Sequence, residues 1–271
     1  MAVAYEVLGP EGGAPVALVP GTFSDRRTWL KLAGSLSSSF RCLLFDPRGT
    51  GASPDPGTPF TPDDLVDDLL EAMDGAKIQD AHLVGHSLGA VVALLAAARH
   101  PARVRRLVAI GPTAWVDARL RMVLDHWESV VRSDLDEESV VRALVLDAFG
   151  RKAFERLVPA VVHDMLRNPI PRQTLQRYID CDRRQDLRVH LGRVDAPVLV
   201  VAGTEDSLSG PVHARAVVEG VPGARLELVE GAGHTPQVER PAELARLVVP
   251  FLKGHRRLPA TSFTLEAGTE R

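Results

Sequence analysis

Residues 81–90, Ala-His-Leu-Val-Gly-His-Ser-Leu-Gly-Ala, run from a short apolar stretch of strand character through Gly-x-Ser-x-Gly into an alanine- and leucine-rich segment that reads as a helix over 88–99. A strand that turns this sharply into a helix crowds the residues on either side of the serine. A Cβ at 85 or 89 would collide with neighbouring backbone, so both positions are glycine. The turn pushes Ser87 out at the carboxyl edge of the sheet, where the start of the helix offers unpaired N–H groups. The five-residue string is common by chance, and a serine before a helix is often only a cap. The strand before it and the helix after it make it a nucleophile elbow.

Outward from the elbow, continuous apolar runs at 16–19, 42–45, 81–84, 104–110, 198–202 and 226–229 read as strands covered on both faces. Helix-period segments lie between them. The clearest begins at Thr61, with Pro62 at the first helical position, Asp63 and Asp64 in the first turn, and Leu65, Leu69 and Met73 along one face. A last helix over 241–253 carries Leu244, Leu247, Val248 and Phe251 at helical spacing, with Pro250 expected to kink it or end it early. The alternation predicts an α/β fold with a mostly parallel, doubly wound sheet. From Trp115 to about His190 no strand is expected, and amphipathic stretches at 120–131, 138–148 and 171–179 read as an inserted helical lid over the sheet's carboxyl edge, the alternative being extra helices packed against the side of the sheet. The organisation is then a core of residues 1–112 and 191–253, a lid over 113–190 and a polar tail over 254–271.

Two further segments complete the chemistry in the chain order nucleophile, acid, base. Gly203-Thr204-Glu205-Asp206 follows a strand and offers Asp206 as the acid, with Glu205 as its neighbour and rival. Glu230-Gly231-Ala232-Gly233-His234-Thr235-Pro236 follows the last strand, and its glycines allow a tight loop to carry His234 over the sheet edge as general base. A serine hydroxyl is a poor nucleophile near neutral pH, so a base must take its proton as it attacks an acyl carbon. The resulting oxyanion needs preorganised donors: the Leu88 amide is one, and the loop 18–23 offers the Thr22 amide as the second, with Phe23 as the adjacent alternative.

The composition excludes other classes. A net charge of −3 with both signs interspersed provides no basic face for nucleic acid and no polybasic anchor for a membrane. No segment reaches the roughly 18 apolar residues of a membrane span, and no basic leader precedes an apolar run, so the expectation is a cytoplasmic enzyme acting on a small-molecule substrate. The two cysteines, Cys42 and Cys181, have no metal-ligand or Cys-x-x-Cys spacing. Neither a metal cluster nor a phosphate-cradling motif is present, and no cofactor is expected. Oligomeric state leaves no mark in the sequence.

From about Val3 to Lys253 the chain resembles the α/β-hydrolase superfamily, in its lid-bearing esterase and enol-lactonase-like branch. Asp46-Pro47-Arg48-Gly49-Thr50-Gly51-Ala52-Ser53 is similar to that family's Asp-x-Arg-Gly-x-Gly-x-Ser loop, which is chiefly structural there. Ala196-Pro197-Val198-Leu199-Val200 before Asp206, and Gly233-His234-Thr235-Pro236 with Glu239-Arg240-Pro241, resemble its acid and base segments. Many members place His-Gly before the oxyanion residue, where this chain has Pro20-Gly21, so the hydrogen bonds supporting that loop must differ. A serine at the elbow argues against the haloalkane dehalogenases and epoxide hydrolases of the same fold, which use aspartate.

The resemblance implies hydrolysis of a carboxylic ester, lactone or thioester through an acyl-enzyme. The same three residues could instead serve carbon–carbon bond hydrolysis, perhydrolysis or acyl transfer, or persist in a ligand-binding protein without turnover. Phe23, Trp115, Trp127 and Phe149 are the candidate pocket residues, and the arginines of the insertion, among them Arg119 and Arg172, suit either an anionic substrate or a solvated surface.

Overall fold

The structure, a computed structural model, describes residues 2–255, so the tail expected over 254–271 lies outside the described residues apart from Gly254 and His255. Seven strands form one sheet in the order β1-β3-β2-β4-β5-β6-β7. They are β1 Tyr5–Leu8, β2 Ala14–Val19, β3 Phe40–Phe45, β4 Ala81–His86, β5 Val104–Ile110, β6 Val198–Gly203 and β7 Arg225–Val229. Neighbours run parallel except β1, which pairs antiparallel with β3. β1 is the one strand absent from the sequence expectation. It is a half-exposed edge strand of four residues, and its polar content hides the apolar pattern that marks the others.

Side chains alternate between two packed layers, as the strand period of two requires. On β2, Val16 and Leu18 pack with Leu32 and Leu36 of α1 (Leu30–Leu36) and with Leu244, Leu247 and Phe251 of α10 (Pro241–Leu252). Ala17 and Val19 face the opposite layer, where Leu65, Leu69 and Met73 of α2 (Pro62–Gly75) meet Val91 and Leu94 of α3 (Leu88–Arg99) and Val217 of α8 (Gly210–Gly220). Each fully buried leucine in these layers contributes about 2 kcal/mol of hydrophobic free energy. The start of α2 follows its sequence: the Asp64 amide donates to Thr61 Oγ1, and the Thr61 amide donates to Asp64 Oδ2 at 2.8 Å. Of the two effects expected of Pro250, a kink or an early end, the early end does not occur: α10 continues past it to Leu252. Phe251 and Leu252 are buried against the sheet, and that burial outweighs the missing proline N–H.

The chain between β5 and β6 forms four helices: α4 Ala118–Val131, α5 Glu137–Val145, α6 Arg151–Arg167 and α7 Arg172–Asp182. Leu120, Leu124, Trp127, Val140, Leu175 and Ile179 build an apolar cluster of their own between α4, α5 and α7. α6 was not anticipated, because Pro159 lies inside it and only three of its residues are buried. The loop after β3 is tied down internally. Asp46 accepts from the amides of Arg26 (3.0 Å) and Ala52 (2.9 Å), and Arg48 forms a two-pronged pair with Asp68 on α2 at 2.9 and 2.7 Å.

Candidate active site

Ser87 joins β4 to α3 with φ 54° and ψ −123°, a left-handed backbone that is costly for a residue with a side chain. Its neighbours explain how the turn closes. A Cβ at Gly85 would overlap the carbonyl of Gly89, and one at Gly89 would overlap the carbonyls of Val19 and Pro20. The loop after β2 passes equally close: a Cβ at Gly21 would stand 2.9 Å from the His86 carbonyl oxygen and 3.1 Å from the Ser87 Cβ. Thr22 therefore follows in the chain immediately beside the elbow.

His234 lies between β7 and the short helix α9 (Pro236–Glu239), and its Nδ1 is 3.0 Å from Asp206 Oδ2 on the loop after β6. Asp206 also accepts from the amides of Leu208 (2.9 Å) and Ser209 (3.1 Å) and from the Ser209 hydroxyl (2.7 Å). Burial raises the Asp206 carboxyl, but His234 and these donors outweigh it and hold the group well below the usual carboxylate range. An ionised Asp206 assigns the proton to His234 Nδ1 and leaves Nε2 free to accept. Glu205, the rival acid, instead accepts from the Arg151 amide at 2.6 Å. Gly111, with φ 51°, backs the pair so closely that a Cβ there would be 3.1 Å from His234 Nδ1. Nothing in the sequence reading singled out this glycine.

The His234 loop is held from beneath. Glu239 is 3% exposed and accepts from the amides of Gly233 (3.0 Å) and Thr235 (3.3 Å), and from Gly150 at the head of α6 (3.1 Å). The amide of His234 donates to the Ala148 carbonyl at 3.0 Å, and its carbonyl accepts from His86 Nε2 at 2.8 Å. Burial, with His234 nearby, lowers His86 to about 3, so its ring is neutral.

Ser87 and His234 open on a cavity of about 290 Å³, counted to its open mouth. Leu120, Leu124, Trp127 and Leu208 supply its apolar wall, and Thr22, Thr113, Asp182 and Gln185 supply polar groups. Of the expected pocket residues, Trp127 lines the cavity. Phe23 packs against Trp127 with its ring tilted by 57° and ring centres 5.3 Å apart. Trp115 and Phe149 are not among the lining residues: Trp115 packs on His213 with Arg188 over its ring, and Phe149 joins the cluster between α5 and α6. Arg119 donates to the Ser207 carbonyl, and Arg172 to Glu137 and to the carbonyls that end α4. Asp182 went unnoticed in the sequence, although it occupies the next position along the apolar face of α7 after Leu175, Tyr178 and Ile179. A carboxylate continuing an apolar stripe is the signal that would have found it.

A family model described as alpha/beta hydrolase fold matches residues 14–241 of this chain. The pimeloyl-[acyl-carrier protein] methyl ester esterase of Neisseria meningitidis is 28% identical, covering 92% of this chain and 96% of that protein. A pyrrolizixenacetamide deacetylase from Xenorhabdus hominickii is 26% identical over 89% of this chain and 91% of its own length. Among solved structures, the enol-lactonase from Burkholderia xenovorans superposes with a TM-score of 0.85 at 26% identity, covering 93% of this chain and 96% of that one. The chain belongs to the α/β-hydrolase fold family and is a hydrolase. Among the described residues no helix is long and apolar enough to cross a membrane, and no group of three or more His, Cys, Asp or Glu side chains could hold a metal ion.

Proposed function

We propose that Ser87, His234 and Asp206 act as nucleophile, general base and acid, and that the enzyme cleaves a small carboxylic ester, lactone or thioester through an acyl-enzyme. The observation that carries this is the His234–Asp206 pair, 3.0 Å apart, meeting the same cavity as a serine held at a strained elbow. His234 Nε2 takes the Ser87 proton as Oγ bonds to the acyl carbon. It returns that proton to the leaving oxygen or sulfur as the carbon–leaving-group bond breaks. Water, deprotonated by the same nitrogen, then attacks the acyl-serine and restores the hydroxyl.

The tetrahedral oxyanion is received by the Leu88 amide at the start of α3 and the Thr22 amide. Thr22 is favoured over Phe23 because Thr22 lines the cavity, whereas Phe23 directs its ring onto Trp127 and Tyr178. The helices over 113–190 serve as the lid, with α4 contributing three apolar side chains to the cavity. The cavity's small size and apolar wall support a short acyl group. Purified enzyme should hydrolyse p-nitrophenyl acetate or butyrate, and Ser87→Ala should lose at least about a thousandfold in kcat/KM. Undiminished turnover by the variant overturns the assignment.

A further inference from the structure

Thr113, Asp182 and Gln185 line the cavity, are each at most 5% exposed, and take no part in the chemistry proposed above. Their hydrogen bonds run in one direction. Thr113 Oγ1 donates to Gln185 Oε1 at 2.5 Å, which turns the Gln185 amide nitrogen toward Asp182 Oδ1, 3.4 Å away. Thr22 Oγ1 donates to Asp182 Oδ2 at 2.7 Å. The network ends on a carboxylate whose side-chain partners among the described residues are all neutral, one of them at long range. A carboxylate can accept about four hydrogen bonds, and a buried one without a cation is costly. Burial accordingly pushes Asp182 up to about 7, against the pull of Thr22 and His234. An apolar residue at this place on α7 would avoid that cost, so a ligand that uses the carboxylate accounts for it better than packing does.

We propose that Asp182, oriented by Gln185 and Thr22, is a recognition subsite for a protonated amine or a hydroxyl carried by the substrate within a few bonds of the cleaved ester. The preferred substrate is then a small amino- or hydroxy-acyl compound, not an acidic one. The lid arginines do not counter this, because Arg119 and Arg172 already donate to Ser207 and to the end of α4. The proposal rests on the reading of Ser87 as nucleophile only where turnover is measured.

The test compares ethyl butyrate, ethyl 3-hydroxybutyrate, ethyl 3-aminobutyrate and monoethyl succinate. Binding is measured by calorimetry on Ser87→Ala, and hydrolysis by acid release with the wild type. The amino ester should bind Ser87→Ala at least about tenfold more tightly than ethyl butyrate, the hydroxy ester should fall between them, and monoethyl succinate should bind most weakly. Adding Asp182→Asn, which keeps an acceptor for Thr22, should bring the amino and plain esters to within about twofold of each other. Equal or undetectable binding of the amino and plain esters to Ser87→Ala overturns the proposal without recourse to the second variant, as does a preference that survives Asp182→Asn. If the wild type hydrolyses plain and amino esters alike, the subsite alone falls. If it hydrolyses none while Ser87→Ala still discriminates, simple ethyl esters are excluded as substrates and the subsite stands.

Discussion

Burial on and beside β4 keeps two histidines neutral, His82 lowered to about 4 by burial and by Arg105 and Arg106, and His86 to about 3. In the unfolded chain both bind protons below pH 6.5, so between that value and the folded ones the unfolded state holds more protons and acid destabilises the enzyme. Each histidine contributes about 1.4 kcal/mol per pH unit to that loss. Asp182 opposes it, because its raised carboxyl takes up a proton near pH 7 in the folded state and only near the ordinary value of 3.8 when unfolded. His82 can be separated from the site, since its ring rests edge-on against Phe40, 6.2 Å away, and its Nδ1 has no hydrogen-bond partner among the described residues. His82→Phe should recover about 2 kcal/mol of the stability lost between pH 6.5 and 5, as read by urea unfolding at the two values. An unchanged pH dependence would mean that His82 is protonated in the folded state. Ser87, His234 and Asp206 could be picked out from the sequence because glycine-rich turns after strands advertise them. Gln185 and Thr113 could not, because each becomes a cavity residue only when α7 and the turn after β5 pack together, and Asp182 showed only as a carboxylate on the apolar stripe of α7.

At the scale of elements, one carboxylate ties two segments far apart in sequence. Glu239 on α9 gathers the amides of the His234 loop and that of Gly150, the residue before α6, while Ala148 accepts from His234. The insertion is thereby fastened to the loop that carries the base. Glu239→Gln exchanges charge-assisted acceptance of several buried amides for a single neutral acceptor and should cost about 1.5–3 kcal/mol in urea unfolding. Its kcat should fall with little change in KM, because the His234 loop loses its anchor while the cavity walls are untouched. A variant with wild-type stability would show that the loop is held by its backbone alone. The parallel strands and α2, α3 and α10 were legible from apolar period and caps. The edge strand β1 and α6 were not, since tertiary contacts hold both in place against polar composition or an internal proline.

Across the whole molecule, the strands β2, β4, β5, β6 and β7 run parallel, so the loops that follow them meet at one edge of the sheet. Those loops carry Thr22, Ser87, Thr113, Asp206 and His234, and of the helices inserted between β5 and β6, α4 and α7 add side chains to the cavity. The covalent step at Ser87 is the claim on which this arrangement depends. It is tested most directly by intact-protein mass after reaction with a p-nitrophenyl alkylphosphonate, followed by peptide mapping. One phosphonyl adduct is expected, on the peptide that contains Ser87, with loss of esterase activity in proportion to labelling and no adduct in Ser87→Ala. An adduct on another residue that abolishes activity, or full labelling of Ser87→Ala, would contradict it.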